Sequence, residues 1–267
     1  MSDWRPQLIV SDLDGTLLRS DETISDHTVA ELDRWAGAGV PLVIATGRPP
    51  RWMLGVRERL GGGLAICCNG AVLLDLGGFT VLDEHPLTPS VLREITGELR
   101  RRQPGVWFAV EYGDQFRHEP VYRPRWDVDA PGVAVATLEE MVSQPVAKLL
   151  ARHEELPRDE FVDLVSDVVG DTATVTNSSA DALAEISARG VTKAAGLARV
   201  AADRGLGPQD VVYFGDMPND LAAFDWVRDG GGRAVAMANA HPDVLGAGTD
   251  VTESNDADGV AAFLSSL

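Results

Sequence analysis

Five short apolar runs, each followed directly by small or polar residues, restrict the fold of this chain more than any other feature. They are residues 8–12, 41–47, 64–70, 211–216 and 234–239. Continuous runs of this kind are typical of strands that are buried on both faces of a parallel sheet. Helical spacing of apolar residues separates several of them, as in residues 29–36. The alternation predicts an α/β fold with an open, Rossmann-like parallel-sheet core and right-handed crossovers.

Residues 84–187 have a different pattern, which predicts an inserted α+β domain. Helices are expected after Thr88 and over residues 159–169. Strands are expected at residues 106–111, 146–151, 173–176 and 182–186, and residues 111–119 are expected to form a loop of polar and aromatic side chains. The core domain is therefore predicted to comprise residues 1–83 and 188–267.

Polar side chains follow all five of the predicted core strands. In open α/β sheets, ligands bind beyond the carboxyl ends of the strands. Each of these residues alone could be an ordinary turn residue, because Asp, Asn and Thr favour turns. Taken together they favour one polar pocket, lined by Asp12, Thr46, Asn69, Asp216 and Asn239.

The segment Asp12-Leu13-Asp14-Gly15-Thr16 directly follows the first predicted strand. Residues two apart on an extended chain point the same way, so both carboxylates are expected to face one site and Leu13 the core. Two carboxylates this close need a cation between them, or one of them keeps a proton. The pair therefore predicts either a divalent metal site or an acid beside a nucleophile. With Asp216, it forms an oxygen-rich set that suits Mg²⁺.

Lys193 and Arg48 are the cations that fit an anionic ligand. Lys193 follows Thr192, a predicted helix N-cap, at a helix end where the dipole disfavours a positive charge. A lysine in that place indicates a nearby anion, or else a solvated side chain. Thr46-Gly47-Arg48 offers a hydroxyl and a backbone amide, which are good phosphate donors.

The overall charge excludes two classes of partner. The 267 residues carry a net charge of −18, which argues against non-specific nucleic-acid binding and against an anionic membrane surface. No apolar run approaches the roughly 18 residues of a membrane-spanning helix, and the first residues lack the pattern of a signal peptide. The adjacent Cys67 and Cys68 are expected to be reduced core residues of a cytoplasmic protein.

The ordered motifs resemble those of the haloacid dehalogenase superfamily of phosphatases, and within it the Cof-type hydrolases with a large inserted α/β cap. The resemblance covers essentially the whole chain. It is carried by residues 12–18, Thr46-Gly47-Arg48, Lys193, and Gly215-Asp216-Met217-Pro218-Asn219-Asp220. It implies a phosphatase, with residues 84–187 as the cap.

The resemblance also implies a role for each motif residue. Asp12 would attack phosphorus and form an aspartyl-phosphate, and Asp14 would act as general acid and base. Mg²⁺ would be bound by the Asp12 carboxylate, the Asp14 carbonyl and Asp216. Asp220 would not bind the ion directly but would hold its water ligands or Lys193 in place. The phosphate would be held by Thr46, Gly47, Arg48, Lys193 and Asn219. The implied substrate is a small phosphorylated metabolite. By their position and chemistry alone, Arg117, His118 and Tyr122 are candidates for contacting it from the cap. The alternative for each is a side chain of a solvated cap surface with one buried aromatic residue.

Two other functions are compatible with the same motifs. A phosphotransferase or mutase would use the same Asp12 and Asp14 but pass the phosphoryl group to a second hydroxyl. A non-catalytic binding protein could also use this fold, although it would have no need of Asp12, Asp14, Lys193 and Asp216 together. The motifs specify neither an individual substrate nor an oligomeric state.

Overall fold

A computed structural model describes residues 4–122, 131–177 and 181–267. These residues form two compact units. The first lies within Met1–Arg48, Met53–Asp83 and Thr192–Leu267, and the second within Pro49–Trp52 and Glu84–Val191. The second unit thus differs from the insert expected at residues 84–187 by a four-residue segment after Arg48 and by four residues at its end.

The described residues contain fourteen strands and nine helices. The strands are β1 (Leu8–Ser11), β2 (Leu42–Ala45), β3 (Leu64–Cys67), β4 (Val72–Asp75), β5 (Thr80–Glu84), β6 (Trp107–Tyr112), β7 (Gln115–His118), β8 (Val133–Val135), β9 (Lys148–Arg152), β10 (Ala173–Thr176), β11 (Leu183–Ala188), β12 (Val211–Gly215), β13 (Arg233–Ala236) and β14 (Asp250–Val251). The helices are α1 (Asp26–Gly37), α2 (Leu54–Leu60), α3 (Pro89–Arg102), α4 (Leu138–Met141), α5 (Arg158–Val169), α6 (Lys193–Ala202), α7 (Leu221–Asp229), α8 (Pro242–Ala247) and α9 (Gly259–Ser265). Among these described helices, none is long and apolar enough to cross a membrane.

The first unit is built on an eight-stranded sheet in the order β14-β13-β12-β1-β2-β3-β4-β5. Its first six strands are parallel, and β4 pairs antiparallel with β3. The predicted α/β fold with a parallel-sheet core is therefore confirmed. In the central strand, Val10 pairs with Tyr213 on one side and Val43 on the other. The carboxyl end of β1 consequently lies between those of β12 and β2.

The apolar runs form these strands because both faces of the sheet are covered. Every residue of β1 and β12 is buried, as expected for interior parallel strands. Helices α1 and α6 of this unit begin at side-chain caps. The Ser25 hydroxyl accepts a hydrogen bond from the Thr28 amide at α1, and the Thr192 hydroxyl accepts one from the Ala195 amide at α6. The predicted N-cap at Thr192 is confirmed, and a cap of this kind stabilises a helix by about 1 kcal/mol.

The second unit has a six-stranded sheet in the order β10-β11-β9-β6-β7-β8, in which the described pairs are antiparallel except for β7 with β8. One face packs against α3 and α5, with Phe108, Leu149 and Phe161 in a shared apolar core. The opposite face carries a smaller apolar cluster, which includes Phe116 and Leu150. Successive side chains of a strand alternate between faces, so the described helices α3 and α5 pack on one face and the smaller cluster lies on the other.

The loop expected at residues 111–119 is wrong. Trp107–Tyr112 and Gln115–His118 are two antiparallel strands, with Tyr112 paired to Gln115. The connection is the dipeptide Gly113-Asp114, in which Gly113 has φ of +55°. Short loops rich in Gly and Asp are the usual hairpin connection, and the alternating buried residues Phe116 and His118 mark the second strand.

Candidate active site

Asp12 lies where β1 ends and is held tightly by the main chain. Its amide donates to the carbonyl of Phe214 in β12 at 2.9 Å, and its carboxylate Oδ1 accepts a hydrogen bond from the Leu13 amide at 2.7 Å. The side chain is 7% exposed. The chain turns immediately afterwards, in the tight turn Leu13–Leu17, within which Asp14 and Gly15 do not have helical dihedral angles. Asp12 therefore presents a fixed carboxylate at the carboxyl edge of the sheet.

Asp14 does not lie beside Asp12 as an extended chain would place it. The turn after Asp12 sends the Asp14 carboxylate, 56% exposed, to the guanidinium of Arg48, with Nε to Oδ2 at 2.9 Å. It lies outside the group of buried carboxylates formed by Asp12, Asp216 and Asp220. The expectation that both carboxylates share a face fails because the strand ends at Ser11. Leu13 is fully buried, as predicted.

Lys193 has the anionic neighbours that its place in the sequence indicated. Its Nζ lies 2.9 Å from Asp12 Oδ2 and 2.8 Å from Asp220 Oδ1, and its side chain is completely buried. Burial disfavours the charged ammonium, but the two carboxylates outweigh burial and raise the pKa of Lys193 above its ordinary value. Lys193 is thus a permanent cation that bridges Asp12 and Asp220.

Asp220 is saturated by donors from the protein itself. Oδ1 accepts hydrogen bonds from Lys193 Nζ and from the Tyr213 hydroxyl, the latter at 2.7 Å. Oδ2 accepts from the amides of Asp216 and Met217, both at 3.1 Å. A carboxylate with this many donors is held in one orientation, so Asp220 fixes both Lys193 and the loop after β12.

Asp12 and Asp216 form the part of the site that fits a divalent cation. Carboxylate oxygens of these two residues and of Asp220 lie within 4.8 Å of one another, and Thr16 Oγ1 donates to Asp216 Oδ1 at 2.9 Å. Burial, followed by the charge of Asp220, raises the pKa of Asp216 to about 7. Burial also raises the pKa of Asp12 against the opposing effect of Lys193. A hard, oxygen-seeking cation such as Mg²⁺ would offset this crowding of negative charge.

The segment after β2 brings a hydroxyl and amides to the same edge of the sheet. Thr46 is fully buried, and its Oγ1 accepts a hydrogen bond from the Arg48 amide at 3.0 Å. Gly47 therefore lies in a tight turn between them. Asn219 Nδ2 donates to Asn69 Oδ1 at 3.1 Å, while Asn219 Oδ1 is buried and has no hydrogen-bond partner among the described residues.

Asn239, one of the five strand-end residues, has a structural contact with the loop that carries Asp12. Its Nδ2 donates to the Gly15 carbonyl at 2.8 Å, and its Oδ1 accepts from the Asn255 amide at 3.0 Å. Asn255 in turn donates to the Leu18 carbonyl at 2.9 Å. Asn239 and Asn255 thus hold the segment after Asp12 at two points, the carbonyl groups of Gly15 and Leu18.

The sequence analysis assigned no role to two residues of the site, Thr16 and Tyr213, and named Asn69 only as a strand-end residue of the polar pocket. Thr16 lies in the first motif, so its position carried a signal. Tyr213 carried none, because an aromatic residue within an apolar strand is typical of a core residue. Its hydrogen bond to Asp220 becomes evident only in the structure.

The residues proposed for the cap lie in the second unit. Arg117 donates to the Gly132 carbonyl at 2.6 Å, so its guanidinium is engaged by the backbone. His118 and Tyr122 are buried and pack with Phe116, with ring centroids about 6 Å apart. His118 Nδ1 lies 2.8 Å from the Glu119 carbonyl.

Known proteins share both the sequence and the fold of this chain. The profile of a family described as haloacid dehalogenase-like hydrolase matches residues 9–264. The chain is 28% identical to 5-amino-6-(5-phospho-D-ribitylamino)uracil phosphatase YitU of Bacillus subtilis, and 27% identical to pyridoxal phosphate phosphatase YbhA of Escherichia coli, with 97% of each chain covered in both cases. The crystal structure of a haloacid dehalogenase-like hydrolase from Bacteroides thetaiotaomicron superposes with a TM-score of 0.80 at 26% identity, covering 98% of this chain and 99% of that one.

Proposed function

The chain belongs to the haloacid dehalogenase-like hydrolase family, and we propose that this phosphatase hydrolyses phosphomonoesters of small metabolites with Mg²⁺, through an aspartyl-phosphate on Asp12. The observation that carries the proposal is the buried ion pair between Asp12 Oδ2 and Lys193 Nζ at 2.9 Å. It places the Asp12 carboxylate beside a cation that favours its ionised form against the effect of burial. The carboxylate lies at the carboxyl edge of the sheet, where a phosphoryl group would enter.

Asp12 supplies the nucleophile in the first step. A carboxylate oxygen attacks phosphorus, an O–P bond forms, and the bond between phosphorus and the ester oxygen breaks. Lys193 remains beside the attacking carboxylate, and its third N–H can donate to an oxygen of the transferred group. Thr46 and the amides of the turn through Gly47 and Arg48 would orient the remaining oxygens.

Asp14 moves the protons. In its acid form it gives a proton to the departing ester oxygen, and the resulting carboxylate then takes a proton from the water that attacks the aspartyl-phosphate. The second step returns Asp12 as a carboxylate and releases inorganic phosphate. The Asp14 carboxylate is 56% exposed, so it can exchange a proton with solvent. Its ion pair with Arg48 has to open before the acid form can donate to the leaving group.

Asp12 and Asp216 would hold the metal, with the Asp14 carbonyl as the third ligand from the protein and Asp220 supporting through Lys193 and the loop amides. Their crowded, buried negative charge fits a divalent cation. When bound, Mg²⁺ supplies charge neutralisation between the nucleophilic carboxylate and the phosphoryl oxygens.

The substrate class follows from the relatives, which act on a phosphorylated ribitylaminouracil and on pyridoxal phosphate. Both are small metabolites with one phosphomonoester. We extend that class to this chain, with the second unit as the cap that selects among such esters and residues 1–83 and 188–267 as the catalytic core.

The test is release of inorganic phosphate from a panel of phosphorylated metabolites, with Mg²⁺ and with a chelator. The wild type is compared with Asp12→Asn, which keeps the size of the side chain, and with Asp33→Asn, an exposed acidic residue of α1. We expect release that needs Mg²⁺, is lost in Asp12→Asn by at least about a thousandfold, and is unchanged in Asp33→Asn. Activity retained by Asp12→Asn would remove Asp12 as the nucleophile.

A further inference from the structure

Tyr213 in β12 is a buried polar residue that the mechanism above does not use. Its ring is completely buried and packs edge-on against Phe224 at a centroid distance of 5.7 Å. Phenylalanine would make the same packing contacts, so the ring alone does not account for the hydroxyl. The hydroxyl donates a hydrogen bond of 2.7 Å to Asp220 Oδ1.

The acceptor of that hydrogen bond connects Tyr213 to the nucleophile. Asp220 Oδ1 also receives Lys193 Nζ at 2.8 Å, and the same Nζ lies 2.9 Å from Asp12 Oδ2. A continuous chain of contacts therefore runs from Tyr213 through Asp220 and Lys193 to Asp12, entirely within the first unit. Burial and the nearby negative charges raise the pKa of the Tyr213 hydroxyl far above its usual value, so it stays a neutral donor.

We propose that Tyr213 is a positioning residue that sets the place of the Lys193 ammonium between Asp220 and Asp12. This inference rests on the proposed function. By donating to Oδ1, the hydroxyl balances part of the negative charge of Asp220 in a dry environment, where hydrogen bonds to charged groups are strong. Without that donor, Oδ1 attracts the ammonium more strongly. Lys193 then shifts toward Asp220, and both Asp12 and the transferred phosphoryl group lose a donor.

The experiment compares the wild type with Tyr213→Phe, which keeps the ring and removes one oxygen atom. We expect kcat to fall about tenfold while KM stays within twofold, since the lost contact matters most when charge moves onto the phosphoryl oxygens. The inhibition constant for orthovanadate, a five-coordinate phosphate mimic, should rise by about the same factor. The inhibition constant for inorganic phosphate should change less than threefold.

Thr96→Val is the matched control for loss of a buried hydroxyl. Thr96 Oγ1 donates to the Leu92 carbonyl at 2.7 Å within α3 of the second unit. This variant should lose stability in a thermal melt while keeping kcat and the vanadate inhibition constant. A purely structural role for Tyr213 would give Tyr213→Phe the same outcome as the control, and that result would overturn the proposal.

A double-mutant cycle tests the route through Asp220. In an Asp220→Asn background, adding Tyr213→Phe should change kcat less than twofold, because the residue through which Tyr213 acts is already altered. A second full tenfold loss would contradict that route. An inactive wild type overturns the proposed function as well, whereas an active wild type with an unchanged Tyr213→Phe variant overturns this inference alone.

Discussion

At the scale of single residues, the three buried carboxylates of the site are not equivalent. Asp220 accepts hydrogen bonds from Lys193, the Tyr213 hydroxyl and two amides, so its lone pairs are already used. Asp216 accepts a bond from Thr16, and Asp12 accepts one from the Leu13 amide beside its ion pair with Lys193. The capacity to bind a cation therefore lies with Asp12 and Asp216, while Asp220 keeps the surrounding donors in place.

Two features of the structure require glycine at position 15: a positive φ angle and the lack of room for a side chain. Its φ is +68°, and a Cβ there would collide with the carboxylate of Asp216. Gly15→Ala should therefore displace Asp216 and weaken Mg²⁺ binding by at least about tenfold, a loss of roughly 1.4 kcal/mol. The backbone strain adds a loss of about 1–2 kcal/mol in unfolding free energy. Calorimetric Mg²⁺ titration and denaturant unfolding measure the two effects.

Gly39→Ala is the control for that substitution. Gly39 has φ of +86° and nothing within 4 Å of an added Cβ. It should show the strain in unfolding free energy and leave Mg²⁺ affinity unchanged. Equal Mg²⁺ affinity in Gly15→Ala and the wild type would show that Asp216 is not a ligand.

Protonation of Asp216 predicts a pH dependence of metal binding. With its pKa raised to about 7 by burial and the charge of Asp220, the residue is mostly protonated at pH 6, and a neutral carboxyl is a poor ligand. We expect apparent Mg²⁺ affinity, measured by calorimetry without substrate, to be about tenfold weaker at pH 6 than at pH 8. Asp216→Asn should bind Mg²⁺ weakly at both pH values. A flat profile in the wild type would contradict the assignment.

Asp216 also affects the stability of the metal-free protein: Mg²⁺ affinity rises with pH, whereas this contribution to stability falls. Between its usual pKa and about 7, Asp216 holds a proton in the native state that the unfolded chain has lost. Asp216 therefore reduces the stability of the metal-free protein as pH rises through that window. Added Mg²⁺ should consequently raise Tm more at pH 8 than at pH 6.

At the scale of helices and strands, the carboxyl ends of the core strands were predictable. The anionic neighbours of Lys193 were predictable too, but the contact of Asp14 was not. Short apolar runs that end in Asp12, Thr46, Asn69 and Asp216 indicated parallel strands, because only strands covered on both faces remain apolar throughout. The pairing of Asp14 with Arg48 depends on a turn at Leu13 that the extended-chain assumption ignored. The backbone conformation at Leu13 therefore decides where the Asp14 side chain lies, and the sequence pattern alone does not specify that conformation.

Helix α6 must lie close to β3 for Lys193 to reach Asp12. A Cβ on Gly196 would come within 2.5 Å of Ile66 Cγ2, so the absence of a side chain there permits the close approach. Gly196→Ala should push α6 away from the sheet, lower unfolding free energy by about 1–3 kcal/mol, and reduce kcat because Lys193 begins that helix. Denaturant unfolding and phosphate release are the measurements.

Gly97→Ala makes the same change on α3, where an added Cβ meets nothing within 4 Å. Alanine favours a helix over glycine, so this variant should gain up to about 1 kcal/mol in unfolding free energy and keep its kcat. If both variants gained stability, the close approach of α6 to β3 would not be needed.

At the scale of the whole molecule, the two units carry different kinds of polar group. The first unit holds the Lys193 network with its carboxylates. In the second unit, the sheet face opposite α3 and α5 carries Glu111, Lys148 and Glu185, which are buried and share that face with Leu150 and its neighbours by strand alternation. Lys148 Nζ lies 2.9 Å from Glu185 Oε1. If the second unit selects the substrate, we expect this charged face to take part, because the described helices α3 and α5 pack on the other face.

This division predicts two different outcomes on a panel of phosphomonoesters. Replacing Lys148 and Glu185 together by glutamine removes both charges without stranding one of them, which limits the loss of stability. It should change the ratio of kcat/KM between a sugar phosphate and pyridoxal phosphate by about tenfold or more, whereas Asp220→Asn should lower kcat/KM for both by similar factors. The pair Arg101 and Glu98 on α3, with side chains 69% and 32% exposed, replaced in the same way, should alter neither value. An unchanged ratio in the Lys148/Glu185 variant would place substrate selection outside this face of the second unit.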